Sequence, residues 1–521
     1  MTTFSYQEKG SRVLREWNER RQIERAAVAR SSAPRQRNFA GASITRLTSS
    51  LETWSGAINS DLDNGLAILR TRARTLCANN EFGRRFLSLV SANVVGAAGP
   101  TLQVRALTQQ GALDKPANDA IEVAWKTWCG VADISGRMSL TRLLQVLVKG
   151  VARDGEGLVR IVRDPSLPFG IQLQLLEADR LDESFNAVLR GGGRVRQGVE
   201  FDGLGRPVAY HLLTTHPGEN YTANQRIVQR VPIKDLFHVF LPERAEQARG
   251  YTWLHAILLR SHMLHGFEEA AVVAARVGAS KMGVWTRDPE ADSDASKQLA
   301  DAGQDASGNL QMQAEPGEFI EAPNGYKLDS WNPEYPHANF ESFLKACVRG
   351  LAVGLNVATH NLSGDMTEVN YSSARIAELA EREIWMELQE WLTSSLLLPL
   401  YREWLASALL RGEIVFAESG KSLPVDKLQK FAAAARFQAR RWAWVDPLKD
   451  VQASALLINN GLASRTSIAA SQGRELEDIV DELAQEEALF EAAGLEIGEK
   501  PAAPAQQQMP DSEEPSKEPA A

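Results

Sequence analysis

Two amphipathic helical patterns separated by a short polar stretch restrict this chain more than any other feature. Between residues 335 and 355, Phe340, Leu344, Val348, Leu351 and Leu355 recur at spacings of four, four, three and four, which draws one apolar stripe down a helix. Glu341, Lys345 and Arg349 form a charged row beside it. From Ser373 onward, "SARIAELAEREIWMELQEWLTSSLLL" sets Ile376, Leu379, Trp385, Leu388 and Leu392 on one face, until Pro399 stops or kinks the helix. At about 25 residues that pattern is twice the usual helix length. Gly364, Asp365, Thr367, Asn370, Tyr371, Ser372 and Ser373 lie between the two patterns and have little to bury. A polar, aromatic-tipped loop between two long helices needs a location that is neither core nor ordinary surface.

Upstream the periodicity is different. "NEFGRRFLSLVSANVVG" predicts a helix closed by Gly96, whereas "GLVRIVRD", "IQLQLLEADRL" and "GVEFDGLGRPVAYHLLT" predict strands, the last folded at "DGLGRP" into a hairpin. From about Trp253 the chain turns helical, with Leu254, Ile257, Leu258, Leu264 and Phe267 apolar and Gly278 ending the run. A strand, an acidic helix-like stretch "PEADSDASKQLADAG" and a second strand follow, and the last third is helical again. The fold class is α+β.

Charge excludes several functions. The net charge is -9, but residues 474–521 alone carry three basic and fourteen acidic groups, so the other 473 residues sum to +2. Ser11–Arg46 holds nine Arg and three Glu. A near-neutral body with a basic arm and an acidic tail lacks the broad basic footprint of a tight duplex binder. Three widely spaced cysteines, Cys77, Cys129 and Cys347, fit neither a disulfide framework nor a zinc cluster. No apolar leader opens the chain, and "SSLLLPLY" is too short to span a bilayer, so no membrane role is expected.

The chemical motifs are weak. "SGKS" (419–422) lacks the glycine a phosphate loop needs at position 415, where Val stands, and Pro424 interrupts the helix that should follow. "RGGGR" (190–194) reads as a turn. His255, His262 and His265 share a helical stretch without a metal motif. Asp154 and Glu156 in "RDGEG" admit an acid/base pair, but a polar turn is the simpler reading. Trp442 and Trp444 read as packing residues. No catalytic residue, cofactor or metal is expected, and the row Glu341, Lys345, Arg349 taken alone is a solvated helix face.

Eight segments in one order resemble the lambda-type portal proteins of tailed phages. They are "RTRARTLCANNEFGRRFLSLVSANVVGAAG", "AWKTWCGVADISG", "LVKGVARDGEGLVRIV", "LQLLEADRLD", "GVEFDGLGRPVAYHL", "HVFLPERAEQARGYTWLHAIL", "NYSSARIAELAERE" and "WAWVDPLKDVQASALLINNGLASR". The resemblance spans about residues 60–485 and rests on no single motif. It implies a portal-type subunit that assembles, usually as twelve copies, into a ring around a central channel. The order then reads as a basic helical arm (1–40), an α+β wing (41–252), a first stem helix (253–277) and a clip (278–332). A second stem helix (335–355), a tunnel loop (356–372), a long kinked wing helix with its connection (373–430), a helical crown (431–495) and a disordered acidic tail (496–521) complete it.

By the same resemblance, Lys345, Arg349, His360, Asn370, Tyr371, Ser372, Ser373 and Arg375 belong to the DNA channel and tunnel loop. Glu290, Asp292, Asp294 and Asp301 form a clip surface for docking. The implied partners are other copies of the chain, the terminase large subunit that packages the genome, a head–tail connector or adaptor, major capsid and scaffold proteins, and non-specific double-stranded DNA. The implied place is the portal vertex of the virion, assembled in the host cytoplasm, where the ring nucleates the procapsid, admits the genome and releases it. Two rivals are an ATP-driven DNA translocase or nuclease, which needs an intact phosphate loop, and a capsid or scaffold shell protein, which assembles in hundreds of copies.

Overall fold

A computed structural model describes residues 56–219, 227–279, 283–287, 326–330, 339–367, 369–442, 447–471, 474 and 476–493. The chain divides into two units, Met1–Asp61 and Leu62–Ala521, and the elements below belong to the second except for the first residues of the opening helix.

Caps and apolar spacing explain the first elements. Helix α1 (Ile58–Asn79) ends where the Asn80 side chain accepts the N–H groups of Phe82 (3.0 Å) and Gly83 (3.2 Å), which starts α2 (Glu81–Val90). A π-helical turn, Ser91–Val95, extends α2 to Gly96 at φ +79°, the stop expected from the sequence. Strand β1 (Thr101–Val104) precedes α3 (Lys115–Cys129), which starts at Pro116 in its first turn. Helix α4 (Leu140–Asp154) buries Leu143, Leu144, Leu147, Val148 and Val151, a 3.6-residue stripe.

The predicted strands follow. β2 (Glu156–Arg163) is the centre of an antiparallel sheet ordered β3-β2-β9, with β3 at Ile171–Leu176 and β9 at Leu236–Phe240. The first four residues of β2, Glu156 included, are buried on both faces, and only the Arg163 end is exposed. A second sheet is a five-stranded antiparallel meander of β4 (Ala187–Val188), β5 (Arg194–Arg196), β6 (Val199–Phe201), β7 (Pro207–Leu213) and β8 (Val228–Pro232). The "DGLGRP" hairpin joins β6 to β7, and "RGGGR" turns β4 into β5.

Helix α5 (Leu258–Ala279) begins later than the apolar pattern suggests, because residues 253–257 form turns with Ile257 N–H on Leu254 O. Strands β10 (Gly283–Arg287) and β11 (Tyr326–Ser330) fall in the region read as strand, helix, strand and pair antiparallel; the acidic stretch between them lies outside the described residues. Helix α6 (Phe340–Gly354), the short α7 (Thr359–Ser363) and α8 (Tyr371–Leu392) come next. α8 does not stop at Pro399. A π-helical turn at Thr393–Leu397 carries it into α9 (Leu398–Arg411), and Pro399 sits in the first turn, where its missing N–H costs nothing.

α9 returns the chain to the first sheet's core. Its Tyr401 and Trp404 meet Trp125 and Trp128 of α3, with Trp125 centroids 5.0 Å from both Trp128 and Trp404, and Trp128 Nε1 donates to Ile171 O at 2.8 Å. Each such side chain, fully buried, contributes about 1.5–3 kcal/mol. α10 (Leu428–Ala433) leads to β12 (Ala435–Gln438), which pairs with β1, so the two ends of this unit's body share a sheet. α11 (Pro447–Asn459), α12 (Arg465–Ser471) and α13 (Leu476–Ala493) finish the described chain. The fold is α+β. Among the described residues no helix is long and apolar enough to cross a membrane.

Candidate functional site

The apolar stripe of the second long helix behaves as its spacing predicts. Val348, Leu351 and Leu355 are buried, Leu344 packs on the core, and Phe340 stacks on Phe267 of α5 with centroids 5.7 Å apart. α5 and α6 approach closely because α6 carries glycines at Gly350 and Gly354. A Cβ at Gly350 would collide with the Arg260 guanidinium, and one at Gly354 would lie 2.6 Å from Ile257 Cγ2. After α6, Asn356 takes φ +55°, a backbone region that Asn tolerates better than most residues, and turns the chain into α7.

One carboxylate fixes that turn. Glu381 of α8 is buried and accepts from Ala358 N–H (2.7 Å), Asn361 Nδ2 (2.9 Å) and Trp385 Nε1 (2.9 Å), while Arg85 Nε of α2 donates to Asn361 O at 2.9 Å. Nothing in the spacing of "ELAERE" separates this glutamate from its solvated neighbours.

The polar loop uses many of its groups on itself. Gly364 at φ +74° closes α7, and Ser363 Oγ accepts the Asp365 N–H at 3.1 Å. Asp365 in turn accepts from the Thr367 hydroxyl (2.7 Å) and N–H (2.9 Å), bonds that hold its carboxyl below the usual carboxylate range. Asn370 caps α8: its side chain accepts the Ser373 N–H at 2.8 Å, and Ser373 Oγ donates back to Asn370 O at 3.0 Å. Tyr371 is the first residue of α8, Ser372 is exposed beside it and Arg375 is half-buried.

These elements enclose a cleft of about 700 Å³ between α6, α7 and the first turns of α8. It brings together Lys345, Arg349, His360 and Ser373 of the expected channel residues, over an apolar floor of Leu344, Val348, Ala374 and Ala377. Lys345 Nζ lies 2.9 Å from Glu341 Oε1, the i, i+4 pair seen in the sequence, and Arg349 is exposed. His360 is a different kind of residue from the surface group its loop position suggested. It is only 8% exposed, and its Nε2 has no hydrogen-bond partner among the described residues. The four clip carboxylates, Glu290, Asp292, Asp294 and Asp301, lie outside the described residues, as do Trp444 and both chain ends.

A second polar cluster sits at "RDGEG", which is the polar turn between helix and strand that the sequence suggested, with its two carboxylates turned inward. Asp154 and Glu156 are buried. Glu156 accepts from Arg249 Nε, 2.9 Å from each oxygen, and Nη2, from His238 Nε2 (2.8 Å), Gly250 N–H (3.1 Å) and Arg70 (3.4 Å). Burial alone would push the Glu156 carboxyl up, but Arg249 and His238 hold it well below the usual range. Asp154 is likewise opposed by burial and held low by Arg153 and Arg74. Gly155, at φ +97°, lets the backbone of Tyr251 pass where a Cβ would sit. The cluster therefore ties α1, the α4–β2 junction, β9 and the segment that leads into α5. Every carboxylate is matched to a fixed cation, so the pair is structural.

Glu177, Asp179 and His216 also lie together, but the Arg74 guanidinium is already 2.5 Å from Asp179 and 3.8 Å from Glu177, in the space a metal ion would need. His262 and His265 are exposed on α5, and His255 precedes that helix with Nδ1 3.0 Å from Thr252 O. "SGKS" is a hairpin turn, with Phe416 N–H on Lys421 O, and Trp442 donates to Asn93 Oδ1 at 3.0 Å as a packing residue does.

Residues 45–389 match the model of a family described as phage portal protein, lambda family. The chain is 32% identical over 481 residues to a probable portal protein of Halomonas phage phiHAP-1, covering 90% of each. It is 22% identical over 467 residues to portal protein B of Escherichia phage lambda, covering 81% of this chain and 84% of that one. Among solved structures it is similar to a chain from the virion of a native gene transfer agent particle, at 16% identity and a TM-score of 0.39, covering 78% of this chain and 93% of the other. A chain from the neck of the native particle, computed with C12 symmetry, matches at 15% identity and a TM-score of 0.38, covering 81% and 94%. At those scores the structural likeness adds nothing to the family match.

Proposed function

The chain belongs to the lambda family of phage portal proteins, and from that premise we propose that its copies close into a ring around a bore through which double-stranded DNA passes. The observation that carries the reading is apolar surface left bare on the long helices. Leu259, Met263, Ala270 and Val273 share one face of α5 and are exposed, although the opposite face, with Leu264 and Ala271, is buried. Phe343 and Val353 of α6 and Ile376 and Leu379 of α8 are exposed as well. An apolar stripe on both sides of a helix needs a partner on both sides.

In that ring the loop at the head of α8 turns to the axis. Asn370, Tyr371, Ser372, Ser373 and Arg375 line the narrow part of the bore, with Lys345, Arg349 and His360 in the cleft behind them. The mixture of charges suits passage. Duplex DNA carries one charge per ~1.7 Å of axis, and a strongly basic lining would grip it by counterion release. Contacts to the backbone without base readout let any sequence slide.

The protein is a virion component at one capsid vertex, usually in twelve copies, assembled in the host cytoplasm together with capsid and scaffold proteins. A separate terminase hydrolyses ATP and docks on the clip, for which Glu290, Asp292, Asp294 and Asp301 are the proposed surface, and a connector later takes its place. Native mass measurement on the purified chain tests the ring. A single closed oligomer of about a dozen copies supports it; a monomer, or a shell of hundreds of copies, refutes it, because head-to-tail contacts either close or propagate.

A further inference from the structure

The cleft opens on one side of α8, and another side of the same helix carries an exposed apolar ridge. At 100° per residue, Ser373, Ala374 and Ala377 face the cleft, whereas Ile376 and Leu379 point away and are 70% and 44% exposed. Glu383 and Glu387 continue that outer face, both exposed, and among the described residues neither carboxylate has a partner. The cleft presents the complementary features: an apolar floor, Lys345 and Arg349 one helical turn apart at its rim, and His360 with an unmatched Nε2. A buried polar atom without a partner costs about 1–3 kcal/mol, so this cleft is incomplete as it stands.

A ridge and a matching cleft on different faces of one helix cannot meet within one chain, and in the proposed ring each is satisfied by a different neighbour. They join head to tail. We propose that the α8 ridge of one copy seats in the α6–α8 cleft of the next, so that each site is completed by a second copy of this chain. Ile376 and Leu379 enter against Leu344, Val348 and Ala377. Glu383 and Glu387 meet Lys345 and Arg349, displacing the exposed Glu341 pair, which is weakly held. A polar group of the incoming helix meets His360. The cations at the rim then face carboxylates rather than phosphates, and this keeps the bore weakly charged. The inference rests on the ring reading and assigns the contact that closes it.

The test is oligomerisation of the full chain, read by native mass and by light scattering across a dilution series. Ile376→Asp shifts the ring's dilution midpoint upward roughly tenfold or more, the loss of one buried apolar side chain, with an unchanged melting curve of the subunit. The pair Glu383→Lys and Glu387→Lys does the same, and adding Lys345→Glu with Arg349→Glu restores assembly. In a background with Cys77, Cys129 and Cys347 replaced by Ala, Leu344→Cys with Ile376→Cys gives a covalent ladder on oxidation, whereas either cysteine alone gives none. Rings that form unchanged in Ile376→Asp, with no ladder from the cysteine pair, overturn this contact and leave the ring standing. A wild-type chain that forms no ring overturns the ring reading and this contact with it.

Discussion

Replacing Glu156 by Ala removes the centre of a buried ion-pair cluster. The side chain is wholly buried and accepts from Arg249, His238, the Gly250 N–H and Arg70. Its removal strands the Arg249 guanidinium, 0% exposed, and takes one of three carboxylates from Arg70, 3% exposed. Arg70 keeps Asp179 at 3.3 Å and Glu183 at 3.5 Å, whereas among the described residues Arg249 keeps the carbonyls of Gln197 and Ala178 and no carboxylate. Breaking one side of such a buried pair costs about 3–5 kcal/mol, a large part of the ~5–15 kcal/mol that holds a typical domain folded. Glu156→Ala should lower the urea midpoint, and hydrogen exchange should quicken first in β2, β9 and residues 241–252, which the cluster joins. Glu156→Gln keeps the shape and loses less.

The pH dependence has a definite sign. The folded-state carboxyl lies below its ordinary value of about 4.5, so its contribution is complete above that pH and fades as the pH falls through the acid range. Glu156→Gln should remove that part of the acid sensitivity. Unchanged exchange in β2 and β9 in Glu156→Ala would refute the view that this cluster carries the junction.

Other outcomes follow from the same reasoning. Glu381→Ala removes three hydrogen bonds and should raise exchange across residues 356–363, at a local cost of about 1–3 kcal/mol, while the first sheet's core stays protected. Trp404→Ala opens the aromatic cluster around Trp125 and should cost about 3–5 kcal/mol, read as a lower urea midpoint. Burial pushes the Cys77 thiol up to about 11 and the Cys129 thiol up to about 12. Both should therefore react slowly with Ellman's reagent at pH 8 in the folded chain and readily in urea.

Local features were legible in the sequence and distant ones were not. The stripe from Phe340 to Leu355, the Gly96 stop and the β6–β7 hairpin depend on neighbours within a few residues, and periodicity or turn chemistry exposes them. Glu156 meets Arg249 across 93 positions, and β1 pairs with β12 across more than 300, so no spacing rule could join them. Glu381 and His360 look like surface residues in the sequence because their burial comes from the way α7 folds back on α8. The Pro399 reading failed in part: Pro is tolerated in a first helical turn, and the preceding π-helical turn supplied one. For the candidate site, the residues of the loop were visible, but their use in capping α8 and ordering the loop was not.

A portal role requires copies of the chain to close around an open bore. Electron microscopy of the purified protein, viewed end-on, tests this most directly. The expected image is a closed ring of about a dozen subunits with a central hole and the α8 loops at its narrowest point; compact single particles without a hole, under every condition of salt and concentration, would contradict it.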